Sequence, residues 1–169
     1  VESTGFGTRG AMASKPASDI VAQGYSGLMA GEGKVAEGGE PLPLKAGAWA
    51  DYFTGVATAM GVTTALYHRE RTGEGQKISG SLLRSAMFAQ SHIVMREPVS
   101  DSVVRDVVMA KINEARARGA DYREVVGIRM EGRELGTQFA LYYNGYQAKD
   151  GGLILGALTK ANRDAMRDV

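Results

Sequence analysis

The sequence predicts a mixed α/β chain, helical through most of its length and ending in a β-hairpin and a last helix. Three observations carry that expectation. Residues 50–72 keep helical spacing in a stretch rich in small side chains. Residues 101–134 are densely charged, in the manner of one or two amphipathic helices. Near the end, a β-rich run over residues 141–148 and a second over 153–158 flank Lys149-Asp150-Gly151-Gly152, a hairpin with a D-G turn signal.

In chain order, residues 1–17 are Gly-rich and lack an apolar period, so they read as loop. Gly5-Phe6-Gly7-Thr8-Arg9-Gly10 fits the G-x-G-x-x-G spacing of dinucleotide-binding loops, but that motif needs a strand before it and a helix opening at its third glycine. Only four residues precede it and none of the following ones looks helical, so a plain turn is the reading. Ser18 is placed to cap the next helix, with Asp19 in its first turn, where the helix dipole favours an anion. Ile20, Val21, Gly24, Leu28 and Met29 form its packing side, and Gly31 ends it. Residues 31–47 carry five glycines and prolines Pro41 and Pro43, as a mobile loop or an active-site lip would.

The long helix follows. Phe53, Ala57, Met60, Thr64 and Tyr67 make one stripe; Gly55, Ala59 and Thr63 make another, where another backbone could come close. His68, Arg69 and Arg71 suit the negative end of the dipole, and Gly73 suits a left-handed cap. Residues 76–80 read as a short strand. Ser81 caps a helix over 82–96 with Leu83, Met87, Gln90 and Val94 on one face, until Pro98 and Ser100 break the chain. His92 reads as an ordinary helix histidine. The charged segment holds Gly119 between two helices, and residues 160–169 read as a last helix. The chain begins at Val1 without Met and stops inside that helix, which suggests a piece of a longer protein.

Composition narrows the function classes. The 169 residues suffice for one domain of ordinary core size. Twenty Lys and Arg against 19 Asp and Glu leave a charge of +1, with no basic field for nucleic acid. Cys is absent and His occurs twice, which argues against thiolate chemistry and a metal centre. No apolar run reaches the roughly 18 residues of a membrane span, and the start has no signal-peptide character, so a soluble, cytoplasmic protein is expected. No Ser-His-Asp set and no phosphate-binding loop is present.

Asp51 is the one site-like residue. It stands at the head of the long helix between Gly47 and Gly55. A carboxylate there has two readings. It is a helix cap with tight packing behind it, which the residues alone favour. Or it is a covalent nucleophile toward activated carbonyls in a crowded, dry site, kept ionised by the helix terminus, with glycines leaving room for a bulky acyl group.

The strings Gly5-Phe6-Gly7, residues 19–23 (DIVAQ), residues 26–29 (SGLM), Ala50-Asp51 with Gly55, residues 68–76 (HRERTGEGQ) and Ser81-Leu82-Leu83, in this order, resemble the class III CoA-transferases, the family of formyl-CoA transferase. The resemblance covers about residues 5–90, and residues 68–76 are its most specific part. The hairpin around Tyr146 and Leu158 is similar to a later element of that family.

The resemblance implies a fold, an activity and a set of site residues. The fold would be part of a Rossmann-like large domain over residues 1–97, mostly helices in this stretch. It would lead into a linker and the start of a smaller α+β domain over 98–169, with two full-length chains intertwined as a homodimer. The activity would be transfer of coenzyme A between an acyl-CoA thioester and a free carboxylic acid, through an aspartyl anhydride and an aspartyl-CoA thioester on Asp51. No permanent cofactor is implied, the CoA thioester being substrate. Lys15, Ala17 and Ser18 would lie along the CoA or acyl group, with Lys15 a point charge for a phosphate. The related racemases carry a His where Ser18 stands, and a hydroxyl cannot take that proton at neutral pH, so racemisation is disfavoured. A CoA-thioester racemase or isomerase with a different second base, and a non-catalytic acyl-CoA-binding or oligomerisation module, are the alternatives. A chain holding only the middle of such an enzyme is expected to be inactive alone.

Overall fold

The computed structural model describes residues 1–135 and 140–167. It is a helix-rich α/β structure that divides into two compact units, Val1–Glu97 with Asp121–Val126, and Pro98–Ala120 with Gly127–Val169.

The first unit opens with β1 (Glu2–Thr4), where the sequence suggested loop. Its parallel partner is β2 (Ser79–Ser81), in register from Glu2 against Ser79 to Thr4 against Ser81. Three residues are too few to show an alternating pattern, and the partner lies far along the chain. The glycine turn at residues 5–10 therefore does follow a strand, but no helix opens at Gly10 and the plain-turn reading holds. Gly5 is needed there for close approach: a Cβ on it would overlap that of Ala17.

The expected helix from Asp19 is two. α1 (Asp19–Ser26) stops at Gly27, whose φ of 79° is left-handed, and α2 (Leu28–Glu32) stops at Gly33. Of the positions read from the apolar residues Met29 is buried, but Ile20 is 52% exposed, and Ala22 and Gln23 are buried in its place. Ser18 holds the N-cap position, but its hydroxyl makes no capping bond. Ser18 is exposed.

α3 (Trp49–Thr72) is the longest element and ends at Gly73, φ 75°, whose N–H donates to the Arg69 carbonyl at 2.8 Å. It packs on α1, on β2 and on α4 (Leu82–Phe88). The contact is made by small residues: Ala22, Ala50 and Ala86 are fully buried together, with Leu82 against them. The stripe of large side chains on α3 faces outward instead, with Met60 69% and Tyr67 65% exposed. A scale that weights large apolar groups picks the wrong face when alanines let the helices come close.

Alanines bury little apolar area, so polar bonds share the work of holding this unit. Buried Gln90 donates from Nε2 to the carbonyls of Ala86 (3.0 Å) and Ser26 (3.2 Å), joining the ends of α4 and α1. The helix expected over 82–96 breaks at this point: Gln90 has left helical geometry (φ −106°, ψ 22°) and α5 (Ser91–Val94) starts afresh. Ser81 does cap α4, accepting from the Arg84 N–H at 3.2 Å. The 31–47 loop is folded back by a bridge between Val35 and Pro41, and Arg123 donates to the carbonyls of Ala36 (2.8 Å) and Glu37 (2.5 Å).

The helical run does break just before Pro98, at residues 95–97, but Ser100 is itself helical and so is Pro98. In the second unit Pro98 starts α6 (Pro98–Val103), proline being well suited to a first helical position. α7 (Arg105–Ala117) and α8 (Tyr122–Leu135), whose first turn belongs to the first unit, are the two charged helices, with Gly119 left-handed between them. The hairpin is β3 (Tyr143–Gln147) antiparallel to β4 (Gly152–Gly156), closed over residues 148–151 by the Ala148 N–H on the Gly151 carbonyl. Gly151 and Gly152 have ordinary φ, so this is a four-residue loop and not a mirror-image two-residue turn. The tyrosines are used within the unit: the Tyr142 hydroxyl accepts from Arg167 Nε at 3.0 Å, and the Tyr146 hydroxyl donates to the Leu141 carbonyl at 2.7 Å. α9 (Lys160–Arg167) is the last helix; Asp168 and Val169 lie outside the described residues.

Candidate active site

Asp51 is the third residue of α3, in the first turn, and it is exposed. The residue at the N-cap, Ala48, has no side-chain acceptor. The acceptor comes from α1 instead. Asp19 Oδ1 takes the N–H of Ala50 at 2.7 Å and that of Asp51 at 3.3 Å. These are the second and third amides of the helix, the ones an N-cap side chain normally serves. Asp19 Oδ2 accepts from Gln23 Nε2 at 2.5 Å, and Gln23 Oε1 accepts from the Leu44 N–H at 2.9 Å.

The helix terminus is thus already occupied, and it is Asp19 that occupies it. The amides of Ala50 and Asp51 are not free to serve an oxyanion, as an unaided helix start would be. Among the described residues no hydrogen bond is made to the Asp51 carboxylate. It stands at one end of a groove of about 650 Å³ lined by Ser3, Gly55, Ala59, Thr63 and Leu82. Asp51, Gly55, Ala59 and Thr63 follow one another at four-residue steps along α3, so the carboxylate and the small-residue stripe share a face. Gly55 has open space where a Cβ would lie. Gly47 does not: a Cβ there would come to 2.7 Å from the ring of Tyr52, so the room expected at Gly47 is filled by an aromatic side chain. Trp49 lies beside both Tyr52 and Phe53, with ring centroids 6.4 and 6.0 Å away, and these aromatics flank the head of the helix.

The other expected site residues sit on the segment leading into α1. Lys15 is exposed in a turn, its N–H on the Met12 carbonyl at 2.9 Å. Ala17 is half-buried against Gly5, and Ser18 immediately precedes Asp19. Through Asp19, the Ser18 end of this segment is tied to the helix that carries Asp51; no bond ties Lys15 to it. Asp19 and Gln23 are the residues that sequence reasoning missed. In the sequence Asp19 reads as serving the dipole of its own helix, and local spacing carries no signal for an acceptor reaching across 31 residues. Among the described residues no group of three or more His, Asp or Glu side chains could hold a metal ion, and no helix is long and apolar enough to cross a membrane.

Comparison with known proteins gives a consistent picture. The model of CoA-transferase family III matches residues 1–169. The chain is similar to the succinate–glutarate CoA-transferase of Agrobacterium fabrum, 40% identical over 93 residues, which is 53% of this chain and 22% of that protein. It is similar to the acetyl-CoA:oxalate CoA-transferase of Acetobacter aceti, 36% identical over 55% of this chain and 23% of that one. Among solved structures, the hypothetical protein Rv3272 of Mycobacterium tuberculosis has the same fold, with a TM-score of 0.63 at 20% identity over 97% of this chain and 35% of that chain. The matches thus span about a fifth of the length of these curated relatives and about a third of that solved chain.

Proposed function

The chain belongs to CoA-transferase family III, and from that premise we propose that it carries the nucleophile of an enzyme that transfers coenzyme A from an acyl-CoA thioester to a free carboxylic acid. The single observation that supports this best is the state of Asp51: an exposed carboxylate with no hydrogen bond from the described residues, at the end of a glycine-bearing groove. A carboxylate used only as a cap would be turned onto the amides of its own helix, and here Asp19 holds those amides.

The reaction runs in balanced steps. An oxygen of Asp51 attacks the thioester carbonyl of the donor; the C–S bond breaks, giving a mixed anhydride and CoA thiolate. The thiolate attacks the Asp51 carbonyl carbon, forming an aspartyl-CoA thioester and releasing the donor acid. The acceptor carboxylate attacks that thioester, making a second anhydride and freeing the thiolate again. Thiolate attack on the acceptor's acyl carbon yields the new acyl-CoA and restores the Asp51 carboxylate. No redox partner or metal takes part. Because an anhydride hydrolyses, the site must exclude water during turnover. The glycine-rich 31–47 loop helps supply that cover. Lys15, Ala17 and Ser18 lie along the CoA or acyl group, and Ser18 in place of a basic side chain favours transfer over racemisation.

The parallel pair β1–β2 belongs to a larger Rossmann-like sheet in the full-length protein, since two three-residue strands are too few to stand alone. That protein is a cytoplasmic, intertwined homodimer, and this chain alone is inactive. The test uses the full-length protein with succinyl-CoA or acetyl-CoA and a panel of short mono- and dicarboxylic acids, the class that the relatives' names point to. Transfer to at least one acid, abolished in Asp51→Asn, is expected. Near-normal transfer by Asp51→Asn, or solvent deuterium entering the α-carbon with no transfer, contradicts it.

A further inference from the structure

We propose that Asp19 and Gln23 are positioning residues for Asp51, forming a relay that couples the end of the 31–47 loop to the first turn of α3. The proposal rests on the reading of Asp51 as the nucleophile. Four bonds make the relay. The Leu44 N–H donates to Gln23 Oε1 (2.9 Å), Gln23 Nε2 donates to Asp19 Oδ2 (2.5 Å), and Asp19 Oδ1 receives the N–H groups of Ala50 (2.7 Å) and Asp51 (3.3 Å).

Each link constrains the next. Gln23 is 1% exposed, so water cannot replace either of its partners. Its amide has one orientation that works, because the Leu44 N–H can only donate and the Asp19 carboxylate accepts from Ala50. Asp19 in turn has one oxygen for Gln23 and one for the helix. Its bonds to two successive amides fix where α3 begins and how it is rotated, and rotation of the first turn is what aims the Asp51 side chain. By holding those amides, Asp19 also keeps the Asp51 carboxylate from folding back onto its own helix start, and leaves it facing the groove. At the far end, a movement of the loop at Leu44 is transmitted to the same point, so a loop that covers the site and the nucleophile it covers share one hydrogen-bonded strut.

A purely structural cap would affect the amount of folded protein. A positioning relay affects the rate at which folded protein is acylated. The test therefore measures single-turnover acylation of the full-length protein by acetyl-CoA and by succinyl-CoA, quenched and read by mass spectrometry at the Asp51 peptide. KM and thermal stability are measured alongside, in Asp19→Ala, Asp19→Asn, Gln23→Met and Asp51→Asn. Asp19→Ala and Gln23→Met are expected to slow acylation about 10- to 100-fold with KM changed less than about threefold, the scale set by a misplaced reacting group. Asp19→Asn keeps an oxygen for the Ala50 N–H but sets its NH2 against Gln23 Nε2, donor to donor, so it loses the Gln23 link and should slow acylation about as much as Gln23→Met. Wild-type acylation in Asp19→Ala and Gln23→Met, or a loss that only matches the fall in folded protein, overturns the proposal. Failure of the underlying reading shows up separately, as acylation and transfer surviving in Asp51→Asn.

Discussion

The carboxylate of Asp19, in the first turn of α1, accepts the backbone N–H of Ala50 on α3 at 2.7 Å. A helix start that has alanine at its own cap position is completed by a side chain from 31 residues earlier. The geometry around Asp51 is therefore a tertiary property. It depends on α1 and α3 being packed through Ala22 and Ala50, and on Gln23 holding Asp19 from behind.

Removing that cap should cost stability as well as rate. Asp19→Ala is expected to lower unfolding free energy by about 1–2 kcal/mol, and Asp19→Asn by a similar amount, since asparagine keeps an acceptor for the helix-start amides but leaves buried Gln23 Nε2 facing a second donor. Urea denaturation of both variants measures it; wild-type stability in Asp19→Asn would show that Gln23 does not depend on the second carboxylate oxygen.

Gln90 joins α4 to α1 by two bonds from one buried amide. Gln90→Leu leaves the Ser26 and Ala86 carbonyls without that donor, and is expected to destabilise by about 1–3 kcal/mol. The midpoint of denaturant unfolding should fall with an unchanged slope.

Gly5 and Ala17 are a matched pair. Gly5→Ala puts two methyl groups in one place and should cost about 1–3 kcal/mol by overpacking. Adding Ala17→Gly should restore more than half of that loss. The double-mutant cycle checks it, and additive losses would show that the two sites do not touch.

Gly73 closes α3 in the left-handed region with open space around it, so strain alone sets the cost of a side chain there. Gly73→Ala is expected to lose about 1 kcal/mol, and Gly73→Asn less, because asparagine tolerates that region. Thermal unfolding of the two variants should rank them in that order.

What could be read from the sequence was local. The end of the long helix at Gly73, the two charged helices parted at Gly119 and the hairpin through Lys149-Asp150 each have their signal within a few residues. What could not be read depended on distant partners. β1 is a strand only because Ser79–Ser81 lies beside it. The helix after Ser81 breaks where Gln90 turns to the end of α1. The large residues Met60 and Tyr67 marked α3 as a helix but not its buried side, which Ala50 and Thr54 form. At the site, Asp51 stood out because a lone acid among glycines is visible in a string of letters. Its partner Asp19 did not, because a first-turn acid looks the same whether it serves its own helix or another.

The most direct measurement is trapping of the acyl-enzyme. Full-length protein mixed with succinyl-CoA or acetyl-CoA and treated with hydroxylamine should carry a hydroxamate at Asp51, located by mass spectrometry, and Asp51→Asn should carry none. A fully active protein whose Asp51 peptide stays unmodified, or an adduct on another residue that persists in Asp51→Asn, would contradict the assignment of Asp51 as the nucleophile.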